Sequence, residues 1–158
     1  MSREARQYAI SHKEPFIQVL CGSELWMEVK QRFSFRTIYS DYYLKGQHIL
    51  SASFKRSLWS YKLEILEQRT PELMLIDKVN GAYVLEAGRY RLWMSNRQYQ
   101  NPAYYFYNNG VQIGEVTTKG FSFGEYPVYY CSFYEDSDIA LYAILLFIIK
   151  LPPTLETF

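Results

Sequence analysis

The sequence has little of the residues that build metal sites and disulfide frameworks. Among 158 residues there are two cysteines, Cys21 and Cys131, and two histidines, His12 and His48. The cysteines lie far apart, and neither histidine is at ligand spacing from a cysteine or from the other histidine. This pattern predicts two buried thiols and no zinc or iron site, and no cofactor is expected.

The chain also lacks an excess of charge of either sign. Lys and Arg number 17 against 16 for Asp and Glu, which gives a formal net charge of +1. This balance provides no general attraction to nucleic acid, so nucleic acid is not an expected partner, and binding to an anionic membrane would need a local patch. The length of 158 residues predicts a single domain over residues 1–158.

Long apolar runs are absent as well. The polar residues 1–7 are not followed by the apolar stretch of a secretory signal, so a cytoplasmic location is expected. The longest apolar run is residues 139–149. As a helix it would cover roughly 16–18 Å, whereas a spanning helix must cross about 30 Å of hydrocarbon. No transmembrane span is therefore expected.

What the sequence has in abundance is aromatic side chains. They make up 18% of the chain, with 16 Tyr and 10 Phe, and such residues favour pleated, half-buried sheets. Apolar and polar residues alternate in residues 59–65 and 25–30, which is the period of a strand with one buried face. Further segments of this kind are residues 16–20, 33–39, 49–54, 73–77, 83–86, 90–94, 104–107, 111–117 and 128–134.

Turn residues separate these segments at short intervals. Asn109-Gly110 lies between residues 104–107 and 111–113, and Asn-Gly supplies the two positive φ values of a tight hairpin turn. Asn80-Gly81 and Ala87-Gly88 are similar, and Lys45-Gly46 and Lys119-Gly120 are weaker candidates. The spacing predicts about twelve strands over residues 16–134, arranged as a sandwich or barrel.

The apolar run near the C-terminus departs from the strand pattern. Asp136-Ser137-Asp138 precedes it, Lys150 ends it, and Pro152-Pro153 follows, so a helix over residues 137–151 is predicted. A buried strand followed by a turn is the alternative, because the run is rich in β-branched residues. Apolar residues surround this helix on all sides, so we expect the sheet of the same chain to enclose it.

Residues 104–151 carry a family resemblance. They combine a Tyr-rich strand, the Asn109-Gly110 turn, Ile113-Gly114-Glu115-Val116, the strand 129–134 and the helix 139–149. This series resembles the tubby C-terminal domain superfamily, which includes the phospholipid scramblases and the LURP-one-related proteins. The resemblance implies a mainly β fold, a closed antiparallel barrel of about twelve strands around a central hydrophobic C-terminal helix. It also implies a non-catalytic module, with tubby-type members binding phosphoinositide head groups through Lys and Arg on the barrel wall.

Lys45, before the preceding turn, is one member of the nearest approach to a cationic cluster. The other members are Lys55 and Arg56 with Lys62 on the next strand. We take these three as candidate ligand-binding residues; the alternative is a solvated strand end with ordinary surface charges. Arg89 and Arg91 flank Tyr90 and form a second candidate patch. The expected partners are an anionic lipid such as a phosphoinositide, or a protein, with the molecule peripheral to a membrane.

Two other functions stay open at this point. One is a small-molecule carrier barrel with an internal ligand. The other is a hydrolase built on His48 and a nearby Cys or Ser, although no nucleophile motif is present, so we predict no enzyme, no catalytic residue and no metal. Residues 136–138 suit helix capping better than a calcium loop, and residues 104–107 suit core packing better than stacking on bases or sugars.

Overall fold

The protein is mainly β, with one C-terminal helix. The computed structural model describes residues 6–13, 16–57, 61–80, 82–97, 100–119, 127–134 and 138–150. The elements are β1 (Arg6–Lys13), β2 (Phe16–Cys21), β3 (Glu24–Ser34), β4 (Thr37–Leu44), β5 (Gln47–Arg56), β6 (Tyr61–Gln68), β7 (Met74–Val79), β8 (Ala82–Ala87), β9 (Tyr90–Asn96), β10 (Tyr104–Asn108), β11 (Val111–Lys119), β12 (Val128–Phe133) and α1 (Ile139–Lys150).

All twelve strands belong to one antiparallel sheet. Its order is β6-β5-β4-β3-β2-β1-β12-β11-β10-β9-β8-β7, so strands that follow one another in the chain are paired, and β1 pairs with β12. The sheet forms a nearly closed barrel in which β6 and β7 are the two edges. The prediction of about twelve strands followed by a helix is confirmed.

Two predicted boundaries are wrong. The strands begin at Arg6 rather than at residue 16, because β1 is paired on both sides, with β2 and with β12. The segment predicted as one strand over residues 33–39 is instead divided by the Phe35-Arg36 turn, where Arg36 has a φ of 62°. Residues 59 and 60, at the start of the strongest alternating segment, lie outside the described residues.

The hairpin turns follow from local chemistry. Asn109 and Gly110 have φ values of 50° and 82°, the positive pair that a two-residue hairpin needs. Lys45 and Gly46 have φ values of 48° and 79° and form a turn of the same kind. Gly81 and Gly120 lie outside the described residues, so the two turns predicted there are described only in part.

The helix is buried on every side. All eleven side chains of residues 139–149 are buried. The Phe147 ring lies 5.6 Å from that of Tyr104 and 5.1 Å from that of Tyr129, and the Tyr142 ring lies 5.9 Å from that of Tyr90. Tertiary packing therefore stabilises a segment whose β-branched residues give it modest intrinsic helix propensity.

The two ends of the helix lie at opposite ends of the strands. Near its start, the hydroxyl of Tyr142 accepts a hydrogen bond of 3.2 Å from the backbone N–H of Glu72, in the β6–β7 connection. At its last residue, Nζ of Lys150 lies 5.7 Å from the ring centroid of Tyr104, at the start of β10. We call the first the helix-start end of the barrel and the second the helix-stop end.

Candidate functional site

The three cations singled out from the sequence lie together at the helix-stop end. Lys55 and Arg56 are the last residues of β5, and Lys62 is the second residue of β6. The strand register places Lys55 directly opposite Lys62. All three side chains are exposed. The structure thus brings these three residues into one cluster, whereas Lys45, in the β4–β5 turn, lies at the helix-start end and does not join them.

The β3–β4 turn adds two residues to this cluster. The backbone N–H of Arg56 donates a hydrogen bond of 2.8 Å to the carbonyl oxygen of Arg36, so the turn lies beside the end of β5. Phe35, at the tip of the turn, is 87% exposed, and the Arg36 guanidinium lies 5.2 Å from its ring centroid. We call Phe35, Arg36, Lys55, Arg56 and Lys62 the basic rim.

Two more cations lie at the same end of the barrel. Nζ of Lys78 is 5.4 Å from the ring centroid of Tyr83, and Lys150 lies over Tyr104 as described above. Burial lowers the pKa of the half-buried Lys150 ammonium, because desolvation disfavours its charged form. On the face that carries Lys62, Glu64 lies two residues further along β6 and pairs with Ser53 of β5.

The second candidate patch does not form. Arg91 is on the outer wall, and Nη1 of its guanidinium lies 2.8 Å from Oε1 of Glu86, which neutralises it locally. Arg89 is instead in the β8–β9 turn, where its guanidinium lies 5.6 Å from the ring centroid of Tyr90. Both side chains are exposed, one in the turn and the other on the outer wall.

The structure places His48 beside a serine and an aspartate, an arrangement the sequence did not indicate. Nε2 of His48 lies 2.7 Å from Oγ of Ser51, and the Ser51 hydroxyl donates a bond of 2.6 Å to Oδ1 of Asp41. Because Ser51 has only one hydroxyl hydrogen, the histidine is the donor to the serine. A hydrolytic triad requires the opposite order, with histidine between serine and aspartate, so this arrangement does not activate Ser51.

The aromatic run of β10 is used for packing. Phe106 is buried and lies 5.3 Å from Phe133, ring centroid to ring centroid. On the outer wall, Tyr107 is stacked on Trp93 at 4.2 Å, and the Tyr105 hydroxyl accepts a hydrogen bond from Arg97. Arg97 is thus bound to a tyrosine hydroxyl, which favours structural packing over stacking on a nucleic acid base.

The thiols and acidic groups give no second site. Both cysteines are free, and Cys131 is buried as predicted. The prediction of a buried thiol is wrong for Cys21, which is only partly buried at the end of β2 beside the Gly22 turn. Within the described ranges, no three His, Cys, Asp or Glu side chains are grouped to hold a metal ion.

The predicted helix cap is described only in part, because Asp136 and Ser137 lie outside the described residues. The backbone carbonyl of Asp138 accepts a hydrogen bond of 3.2 Å from the backbone N–H of Leu141.

None of the helices described is long and apolar enough to span a bilayer. Comparison with protein-family models, with curated proteins and with solved structures finds no match. Among the described residues, the basic rim is the feature from which we infer a function.

Proposed function

We propose that this chain is a non-catalytic barrel module that binds anionic lipid head groups through the basic rim. The observation that carries the proposal is the direct opposition of Lys55 and Lys62 across β5 and β6. Like charges opposite one another in a sheet destabilise it, so this pair lowers the stability of the free protein. A phosphate group held between the two ammonium groups replaces that repulsion by two attractions.

Phe35 supports a membrane surface rather than a soluble anion as the ligand. An aromatic side chain exposed at the tip of a turn and flanked by cations suits the boundary between head groups and acyl chains. Transfer of a phenylalanine from water to an apolar medium contributes about 1.5–3 kcal/mol. Each cation near an anionic surface adds about 1 kcal/mol. The rim therefore combines the two contributions that peripheral membrane binding needs.

The same proposal includes the finer architecture, a closed tubby-like barrel with the helix at its centre. Its support is that the buried residues of α1 share one hydrophobic core with buried residues of β1 to β5 and of β7 to β12. Phe147 lies against Tyr104 of β10 and Tyr129 of β12, and Tyr142 lies against Tyr90 of β9 and receives a hydrogen bond from Glu72 beyond β6. A helix in this position occupies the space that an internal ligand of a carrier barrel would need, so the module is favoured over the carrier.

The proposal predicts strong binding to anionic vesicles. In sedimentation with phosphatidylcholine vesicles, we expect little binding without an anionic lipid and clear binding with phosphatidylserine or a phosphoinositide at matched surface charge. The Lys55→Gln, Lys62→Gln double variant should bind roughly 30-fold less tightly, since each cation contributes about 1 kcal/mol. Added salt should weaken wild-type binding.

The matched control removes two positive charges elsewhere. Arg69 and Arg91 are exposed and paired with Glu67 and Glu86, so the Arg69→Gln, Arg91→Gln variant has the same net charge as the rim variant. It should bind vesicles like the wild type. Equal losses in the two variants would show that net charge alone matters and would refute the rim. Tighter binding to phosphoinositide than to phosphatidylserine would identify head-group recognition rather than surface charge.

A further inference from the structure

We propose that a cleft at the helix-start end, opposite the basic rim, binds a small organic anion with an aromatic body. The cleft has a volume of about 880 Å³ and opens between the β4–β5 turn, the β6–β7 connection, the β8–β9 turn and the first turn of α1. Small-molecule sites typically occupy roughly 300–1,000 Å³. This binding site is independent of the proposed membrane function.

Each of two walls of the cleft combines a pair of aromatic rings with a cation. In the first wall, the rings of Tyr8 and Trp26 lie 4.7 Å apart, and the backbone N–H of Lys45 donates a bond of 2.9 Å to the carbonyl of Trp26. The backbones of Lys45 and Trp26 therefore lie side by side, and both residues line the cleft. An aromatic ring provides a flat apolar contact surface, and an ammonium beside it provides a partner for an acidic group.

The second wall repeats this arrangement. The rings of Tyr90 and Tyr142 lie 5.9 Å apart, and the Arg89 guanidinium lies 5.6 Å from the Tyr90 ring centroid. Guanidinium groups present a planar fork of donors that matches a carboxylate, sulfonate or phosphate. A ligand between the walls thus meets aromatic rings and a cation on both sides.

The floor of the cleft is apolar and lies at the positive end of a helix. Ala87, Ala140 and Leu141 line it and are buried. The start of a helix carries a partial positive charge from its aligned peptide dipoles, which adds to the field of the cations. The apolar floor therefore excludes water beneath the aromatic body of a bound ligand. The partial charge at the helix start favours a ligand that is an anion.

The charges that line the cleft favour an anion over a cation. Arg6, Lys45 and Arg89 provide three positive groups, and Glu72 and Asp138 provide two negative groups. The Glu72 carboxylate is directed at the β8–β9 turn, where its Oε2 lies 2.9 Å from the position a Cβ would take at Gly88. With Glu72 counted, the three positive and two negative groups leave the lining with a net charge of +1.

Two dyes of nearly identical shape test this inference. 8-Anilinonaphthalene-1-sulfonate carries an aromatic body and an acidic group, and N-phenyl-1-naphthylamine has the same body without the acidic group. Fluorescence titration of the native protein should give one site for the sulfonate, with affinity at least about tenfold higher than for the neutral dye, since the cations that line the cleft attract the acidic group.

Two double variants distinguish dye binding in the cleft from vesicle binding at the basic rim. The Lys45→Gln, Arg89→Gln variant should lower sulfonate affinity to that of the neutral dye while leaving neutral-dye binding and vesicle binding unchanged. The Lys55→Gln, Lys62→Gln variant should show the reverse, with vesicle binding lost and dye binding kept. Equal affinity of wild type for the two dyes would overturn the inference, whether or not the variants fold. An unchanged sulfonate affinity in a folded Lys45→Gln, Arg89→Gln variant would also overturn it.

Discussion

Ile144→Asp should yield no folded protein. Ile144 is 0% exposed and lies in the middle of α1, whose side chains 139–149 are all buried. A carboxylate there has no cation beside it within the helix, and burying an unpaired charge costs far more than the roughly 5–15 kcal/mol by which domains are stable. Protonation of the carboxyl would lower that cost but would still leave a polar group in place of an apolar contact.

The matched control is Ile144→Val, which removes one methylene and keeps the site apolar. It should lower the free energy of unfolding by about 0.5–1.5 kcal/mol and leave the circular dichroism spectrum unchanged. Soluble yield and thermal unfolding followed by circular dichroism distinguish the two variants. Cooperative melting of Ile144→Asp near the wild-type temperature would mean that α1 does not form the core.

Gly114→Ala should destabilise the barrel by about 1–3 kcal/mol. A Cβ at this position would lie 2.5 Å from the carbonyl oxygen of Ser132 and 2.9 Å from Cδ1 of Phe133. The first of these is a backbone atom of the neighbouring strand β12, which cannot rotate away as a flexible side chain would. The expected change is a lower midpoint of urea unfolding with an unchanged slope.

Gly22→Asn is the control for this effect. Gly22 has a φ of +63°, and nothing lies within 4 Å of a Cβ built there. Asparagine tolerates the left-handed conformation, so this exposed turn should change stability by about 0.5 kcal/mol or less. If Gly114→Ala were as mild as Gly22→Asn, then β11 and β12 would not approach as closely as described.

Much of the fold could be predicted because its signals are local. The Asn109-Gly110 turn needs only two neighbouring residues with positive φ, and the bounds of α1 follow from an apolar run between Asp138 and Lys150. The first strand was missed because only Tyr8 and Ile10 are fully buried along it. Pairing with β2 and β12, which is distant in sequence, decides that β1 is a strand.

The candidate site was predicted in part for the same reason. Lys55, Arg56 and Lys62 are close in sequence, so one hairpin brings them together. Arg36 joins them only through the register of β4 with β5, and the exposure of Phe35 depends on a turn that interrupts an apolar segment. An aromatic residue followed by Arg within an apolar run is a weak signal of such a turn, since aromatic residues favour strands.

The two ends of the barrel have different chemistry. The helix-stop end carries the cations of the basic rim and the exposed Phe35, whereas the helix-start end carries a cleft lined by aromatic rings and charges of both signs. A protein bound to a membrane by the first end leaves the second end open to water. The proposed function therefore requires one orientation of the barrel on a bilayer, with the basic rim at the membrane and the cleft in water.

Nitroxide labels at the two ends of β3 test that orientation directly. Ser23 and Ser34 are exposed and flank or end this strand of 11 residues, which spans roughly 33 Å. Each is replaced by cysteine in a Cys21→Ser background. Cys131 does not compete for the label, because burial raises the pKa of its thiol and excludes the reagent.

On anionic vesicles, electron paramagnetic resonance should show the label at residue 34, beside Phe35, becoming more accessible to dissolved oxygen and less accessible to an aqueous nickel complex. The label at residue 23 should stay as accessible to nickel as it is in solution. Immersion of residue 23 instead, or equal accessibility of the two labels on bound protein, would contradict a basic rim that faces the membrane.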